Sequence, residues 1–224
     1  MKKYVIIVAG GTGKRMGLEP IKQFLCLNGI PILMHSINAF YQYDEKINIV
    51  LVLPREHIDE WSKLCKRYNF NIIHTVTEGG ETRFHSVKNG LSHVNNSDSL
   101  VAVHDGVRPL VAEEVIKRSF DYAEEKGTAV PCVTVNDSLR MLTEKYSRTI
   151  DRKNVRAIQT PQCFRAELLK KAYEQEYDDV FTDDATVIEN LGGKIYLVEG
   201  NIENIKITTP LDLQIAETLM MKRI

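Results

Sequence analysis

The chain has 224 residues, 43% hydrophobic and 26% charged, a balance that suits a globular protein with enough core to fold without disulfide or metal staples. Its formal net charge of −1 provides no overall field for nucleic acid or an anionic membrane, so any anion site must be a local cluster. Cys26, Cys65, Cys132 and Cys163 are widely spaced with no C-x-x-C pair, which argues against a thiolate metal site and for free thiols in a reducing compartment. The first apolar run, Tyr4–Val8, is too short for a signal-peptide core, and no run approaches membrane-spanning length; a cytoplasmic protein is expected.

Short, continuous apolar runs at Tyr4–Val8, Ile47–Leu53, Asn71–Val76, Leu100–Val103 and Ala129–Val135 read as strands buried on both faces. Between them, Ile32–Tyr41, Glu56–Tyr68, Thr82–His93 and Ala112–Glu125 carry helical patterns; in the last, Val115, Ile116, Phe120 and Ala123 recur at helical spacing. This alternation predicts an α/β fold with a mostly parallel, twisted sheet and helices on both faces. Ligands of such sheets sit outside the carboxyl ends of the strands. Asn136–Thr160 breaks the rhythm and reads as a β-hairpin arm, residues 136–160, inserted in a single domain of residues 1–224. A hairpin alone is marginal in water, so the arm is expected to pack on something, a second subunit being the natural candidate. Helical patterns then resume at Glu167–Tyr173 and Asp184–Leu191. A Gly-Gly stop follows, then strands at Lys194–Val198 and Asn204–Thr208 and a final helix from Pro210, with Asp212 in its first turn.

The first strand runs into VAGGTGKRMG, Val8–Gly17. A dinucleotide fingerprint starting at Gly11 would need glycine at Met16, and Gly17 arrives one residue late. A P-loop ending at Gly13-Lys14 would need glycine at Val8 and a hydroxyl at Arg15. What remains is a strand, a glycine turn and the adjacent cations Lys14 and Arg15, with Lys22 seven residues beyond Arg15. Backbone N–H groups in such a turn approach phosphate closely, and the cations add charge. A tight βα turn carrying solvated cations fits the loop equally well.

The order of the remaining motifs favours phosphate. IKQF (Ile21–Phe24), GGETR with Ser86, HDGVRP (His104–Pro109), IDR (Ile150–Arg152), TPQCF (Thr160–Phe164), TDDA (Thr182–Ala185) and NIKIT (Asn204–Thr208) follow AGGTGKRMG. As a set they resemble the 2-C-methyl-D-erythritol 4-phosphate cytidylyltransferase family, Rossmann-like nucleotidyltransferases of non-mevalonate isoprenoid biosynthesis, from the first strand to the last helix. The ribitol-5-phosphate cytidylyltransferases share the opening loop, TPQ and NIKIT-type motifs, so transfer to ribitol 5-phosphate or another polyol phosphate is the alternative; the IDR tripeptide favours the erythritol enzymes. This chain departs from the family in four places. Ile21 precedes the loop lysine where proline is usual, Gly10 follows Ala9 where alanine is common, HDGVRP replaces HDAARP, and Ser138 stands where threonine is common.

The resemblance implies an enzyme that joins CTP to 2-C-methyl-D-erythritol 4-phosphate, with Mg2+ or another divalent cation, as a homodimer through the 136–160 arm. Arg15 and Lys22 would stabilise the transition state, with Lys14 a secondary contact or a solvated charge. Ala9, Gly10, Gly11 and Gly13 would wrap backbone around the nucleotide, and Gly80, Glu81, Arg83 and Ser86 would form the other wall of the cytidine pocket. Asp105 would hold the metal or sugar hydroxyls, and Arg108 would orient Asp105 or substrate; His104 reads as structural. Arg152, offered across the dimer interface, and Lys206 would grip the acceptor phosphate, with Asp137, Ser138, Thr182 and Asp183 near the acceptor. A non-catalytic nucleotide-binding module is the third reading. Arg15, Lys22, Arg152 and Lys206 together argue against it, because a binder has no use for an acceptor-phosphate clamp.

Overall fold

A computed structural model describes residues 1–10 and 22–221, with Lys22 described by its backbone alone. The chain enters the sheet as β1 (Lys2–Val8), whose Tyr4–Ile7 side chains are all buried. A small ribbon, β2 (Cys26–Leu27) and β3 (Ile30–Pro31), leads to α1 (Ile32–Tyr43). Two strand–helix units follow: β4 (Asn48–Leu53) with α2 (Ile58–Arg67), and β5 (Thr75–Glu78) with α3 (Arg83–Leu91). β6 (Ser99–Asp105) then leads to α4 (Glu113–Lys126). That helix ends at Gly127, whose φ of +90° is a left-handed conformation that a side chain would strain. β7 (Thr128–Thr134) is followed by a separate hairpin, β8 (Leu139–Leu142) and β9 (Ser147–Ile150). The chain returns through β10 (Arg156–Ile158) and β11 (Gln162–Arg165) to α5 (Ala166–Ala172) and α6 (Asp184–Asn190), and finishes with β12 (Leu197–Glu199) and α7 (Pro210–Met221).

β1 is central: it pairs in parallel with β6 on one side and β4 on the other, and β4 pairs in parallel with β5. β11 lies antiparallel between β6 and β7, β10 is antiparallel to β7, and β12 is parallel to it. Successive strand side chains face opposite ways, so the continuous apolar runs divide between two cores. Val5, Ile7, Ile49, Leu51, Leu100 and Ala102 pack beneath α1, α2 and α4. Tyr4, Ile6, Val50, Val52, Val101 and Val103 pack beneath α3, α5 and α6. Helices α1 to α6 supply their apolar stripes to these layers, as Val115, Ile116, Phe120 and Ala123 of α4 do, while Ala216 of α7 packs in a third, smaller cluster with Leu27, Ile32 and Ile207.

The structure departs from the sequence reading in five elements. The strand expected at Asn71–Val76 starts at Thr75, because its β4 ladder opens at Val50↔Thr75. Upstream, Phe70 and Ile72 pack on the core while Ile73 is 92% exposed, so this stretch alternates without a pairing partner. Asn204–Thr208 is not a strand: Ile207 N–H donates to Val107 O at 2.9 Å, but no ladder forms, and side chains hold much of the rest. β11 has no counterpart in the sequence reading, and the strand expected from Lys194 is shorter, beginning at Leu197. The hairpin spans only β8 and β9, since Arg156–Ile158, read as part of the arm, pairs with Thr134–Cys132 in the main sheet.

The segment after the glycine-rich loop is anchored by aromatic packing. Phe24 stacks on Trp61 at 6.0 Å between centroids, and Trp61 Nε1–H donates to His74 Nε2 at 2.9 Å. His74 must therefore carry its proton on Nδ1, which donates to Ile72 O at 2.7 Å. Burial lowers the His74 pKa from 6.5, outweighing the Ile72 hydrogen bond that raises it. The unfolded chain then binds a proton below about pH 6.5 that the native state resists, so stability falls as pH drops through and below that value. Urea unfolding followed by the fluorescence of Trp61, the sole tryptophan, should show a midpoint lower at pH 5 than at pH 7, and His74→Gln should shrink that difference.

Candidate functional site

At the carboxyl ends of β1 and β6 lies a cleft of about 240 Å³. One wall is Val8–Gly10, at the end of β1. Ala9 N–H donates to Val52 O at 3.0 Å and Val8 O accepts from Gly106 N–H at 2.9 Å, which ties this end of the strand to both neighbours. The buried Gln23 donates from Nε2 to Ala9 O at 2.6 Å. The opposite wall is the start of α3. Thr82 caps that helix by accepting from His85 N–H, and Ser86 Oγ donates to Thr82 O at 2.9 Å while accepting from Gly80 N–H at 3.1 Å. Gly80 is required by close approach: a Cβ there would stand 2.4 Å from His85 Cβ.

The floor is electrostatic. Asp105, the last residue of β6, is buried, with Lys206 Nζ at 3.0 Å and Arg108 Nε at 3.2 Å, both from Oδ2. Arg83 Nε lies 4.0 Å from Oδ1, outside hydrogen-bond reach. Burial alone would raise the Asp105 pKa; the Arg83, Lys206 and Arg108 cations overcome it and hold the carboxyl well below its ordinary range. Arg83 is itself held from behind, donating from Nη2 to Asp184 Oδ2 at 2.6 Å. Asp184 is fully buried in the first turn of α6 and accepts the Tyr173 hydroxyl at 2.7 Å on its other oxygen.

A buried hydrogen-bond chain fixes the backbone around this cluster. His104 has its pKa lowered to about 4 by burial, so it is neutral at pH 7. Its Nε2 faces the Arg108 carbonyl at 3.0 Å and must donate, leaving Nδ1 to accept from Thr160 Oγ1 at 3.0 Å. Thr160 Oγ1 is then free to accept from Asp105 N–H at 3.1 Å. The Thr160 carbonyl, before a cis bond to Pro161, accepts from the buried Asn204 amide at 2.8 Å, and Asn204 O accepts from Arg108 Nη1 at 2.8 Å. The NIKIT segment is thus tied to the end of β6, two residues before Lys206.

Of the residues singled out from sequence, Ala9, Gly10, Gly80, Glu81, Arg83, Ser86, Asp105 and Lys206 line the cleft together, with Arg108 bound to Asp105. Gly11, Gly13 and Arg15 fall outside the described residues, as does the Lys22 side chain. Ser138, Arg152 and Thr182 are exposed and do not line the cleft; Arg152 Nη1 donates to Asn136 O at the root of the hairpin. Asp183 caps α6 by accepting from Thr186 N–H at 2.9 Å. Sequence reasoning did not single out Gln23, Thr160, Asp184 or Asn204 as site residues, although each lies inside a motif already noted (IKQF, TPQCF, TDDA and NIKIT). Asp184, buried and paired in the structure, could have been marked only by a motif in which two adjacent aspartates look alike.

A mixed, mostly parallel sheet with a cation-rich, glycine-walled cleft at its strand ends defines an α/β nucleotidyltransferase. The family model for 2-C-methyl-D-erythritol 4-phosphate cytidylyltransferase (IspD) matches residues 3–222. The chain belongs to that family. It is 53% identical over 220 residues to the 2-C-methyl-D-erythritol 4-phosphate cytidylyltransferase of Bacteroides fragilis, an alignment covering 98% of this chain and 100% of the relative. Among solved structures it is similar to the enzyme of the same name from Thermus thermophilus, with 31% identity, a TM-score of 0.79 and coverage of 99% and 100% of the two chains. It is also similar to the 4-diphosphocytidyl-2C-methyl-D-erythritol synthase of Anaerococcus prevotii, with 28% identity, a TM-score of 0.84 and coverage of 98% and 96%.

Thr160→Val keeps the shape of the side chain but leaves the Asp105 N–H and His104 Nδ1 without their partner. It should destabilise the fold by about 2 kcal/mol, seen as a lower urea midpoint at unchanged m-value, whereas Thr160→Ser should stay close to the parent.

Proposed function

We propose that this chain transfers the cytidylyl group of CTP to 2-C-methyl-D-erythritol 4-phosphate, giving 4-diphosphocytidyl-2-C-methyl-D-erythritol and pyrophosphate. The observation that carries this reading is the cluster of Arg83, Arg108 and Lys206 around an ionised Asp105 in the cleft of a member of this family. An oxygen of the acceptor phosphate attacks the α-phosphorus of CTP. The bond from that phosphorus to the oxygen bridging to the β-phosphate breaks, and pyrophosphate leaves with the electron pair. The attacking phosphate is already an anion near neutral pH, so the step needs no general base. Its obstacle is the approach of two anions and the charge that spreads onto the α-phosphate and leaving group, which positioned cations offset.

Arg15 and Lys22 meet that charge at the triphosphate. Ala9 and Gly10 on one wall, and Gly80, Glu81, Arg83 and Ser86 on the other, enclose the nucleotide. Backbone carbonyls of the wall that begins at Gly80 accept from the amino group that distinguishes cytosine from uracil. Lys206 and Arg152 hold the acceptor phosphate, the first as a point charge and the second as a planar fork. Ser138, Asp137, Thr182 and Asp183 lie on the acceptor side.

Among the described residues no three His, Cys, Asp or Glu side chains form a cage for a metal ion. Magnesium does not need one: it is commonly held by one or two carboxylates, with phosphate oxygens and waters completing its shell. Asp105 fits that requirement, being ionised and having an Oδ1 without a hydrogen bond among the described residues. When bound there, the cation would neutralise triphosphate charge and align the α-phosphate.

Arg152 sits at the foot of the exposed hairpin, away from the cleft, so its role calls for a second copy of the chain. Met141, Leu142 and Tyr146 give the hairpin an exposed apolar surface that supports such a homodimer. None of the described helices is long and apolar enough to cross a membrane. The free thiols of Cys26, Cys65, Cys132 and Cys163 support a cytoplasmic setting.

Pyrophosphate release should require CTP and 2-C-methyl-D-erythritol 4-phosphate together, with UTP and ribitol 5-phosphate far poorer substitutes; faster turnover with ribitol 5-phosphate would overturn the acceptor assignment. Arg152→Ala should reduce kcat/KM for the acceptor by about 100-fold, as loss of a charged hydrogen-bond partner commonly does, and leave CTP affinity by calorimetry nearly unchanged.

A further inference from the structure

Asp105 divides its two oxygens unequally. Oδ2 receives both Lys206 at 3.0 Å and Arg108 at 3.2 Å. Oδ1 receives no hydrogen bond from the described residues, although Arg83, always charged, stands only 4.0 Å away. At that separation a free guanidinium would close onto the carboxylate and form the bidentate pair that the two groups favour. It is prevented from doing so by Asp184, which takes Arg83 Nη2 at 2.6 Å.

Asp184 can oppose that pull because it is rigidly placed. Its side chain is fully buried, its second oxygen is fixed by the Tyr173 hydroxyl at 2.7 Å, and Tyr173 itself is stacked on Phe84 at 4.7 Å. The start of α6 is held in turn by Gln162, which donates from Nε2 to Asp183 at 2.8 Å and accepts from Ala185 N–H at 2.9 Å. The Arg83 pKa lies above its ordinary value: burial would lower it, but Asp184 first and Asp105 second more than reverse that. The guanidinium is therefore shared between two carboxylates, with its short bond to the one outside the cleft lining.

We infer that Asp184 is a positioning residue: by holding the Arg83 guanidinium back, it keeps Asp105 Oδ1 open to a divalent cation arriving with the triphosphate. The inference rests on the cation reading above and adds a residue that touches neither cation nor substrate. Without Asp184, Arg83 swings onto Oδ1 and competes with the cation for the same oxygen.

Mn2+ serves as the probe, its binding to the CTP complex read by water-proton relaxation, with circular dichroism and thermal midpoints to establish that each variant is folded. Asp184→Asn should weaken Mn2+ binding by about 10-fold, the loss typical when the support of a metal ligand is removed. Tyr173→Phe, which keeps the Asp184 charge but frees its carboxylate, should weaken it in the same direction and by less; it provides the test if Asp184→Asn does not fold. Adding Arg83→Gln to Asp184→Asn should restore Mn2+ binding, because the competing charge is gone, even though turnover is not recovered. Unchanged Mn2+ affinity in Asp184→Asn, or a double variant no better than Asp184→Asn, overturns this inference alone. Absence of Mn2+ binding to the parent protein, with turnover persisting in chelator, overturns the cation reading and this inference with it.

Discussion

A carboxylate taken out of water stays ionised only if positive charge comes with it, and in this protein the carboxylate is Asp105. Its neighbours arrive from three different parts of the chain: Arg83 from the start of α3, Arg108 from the loop after β6, and Lys206 from the segment before α7. None of these elements adjoins another in sequence, so satisfying one buried charge fixes how they converge. The same arrangement suits anion chemistry. Within this set, Asp105 and Asp184 offset only part of the charge on Arg83, Arg108 and Lys206, and the remainder faces a cleft walled by backbone and glycine.

The backbone beneath that cluster is kept in place by groups that make no contact with the cleft. Neutral His104 and the Thr160 hydroxyl spend donors and acceptors on one another or on main chain, and the Asn204 amide donates to the Thr160 carbonyl. Such a network stiffens the site because each member is buried and has few alternatives to its partners. It also explains why HDGVRP, TPQ and NIKIT occur in one chain: they are three strips of a single hydrogen-bonded floor, separated by tens of residues and joined only by folding.

Much of this is legible before folding is considered. Continuous apolar runs mark β1, β4, β6 and β7, and helical spacing marks α1 to α4, because both patterns report burial directly. Ala9, Gly80, Arg83, Asp105 and Lys206 are placed in a site by resemblance, and the cleft brings them together. What escapes depends on partners. QCFR is too short to declare itself a strand until β6 and β7 lie on either side of it. In TDDA, Asp183 and Asp184 differ by one step of helical phase, which turns the first toward its own helix terminus and the second into the core. No local pattern distinguishes them; only the position of Arg83, a hundred residues earlier, does. Arg152 is exposed on the described chain, at the root of the hairpin and off the cleft lining, so resemblance alone marks it.

The register of β7 against β10 has a consequence for how such a protein can diversify. Cys132–Thr134 pairs with Ile158–Arg156, so the chain leaving the sheet toward the hairpin is clamped to the chain coming back. The clamp closes at Ile158, and the hydrogen-bonded floor resumes at Thr160 just beyond it. Residues added between Thr143 and Tyr146, at the hairpin tip, would chiefly change the entropy of closing a loop, a cost that grows slowly with length. The tip can therefore drift in length while the register around Asp105 is inherited unchanged, giving evolution an adjustable element beside a site that is otherwise locked.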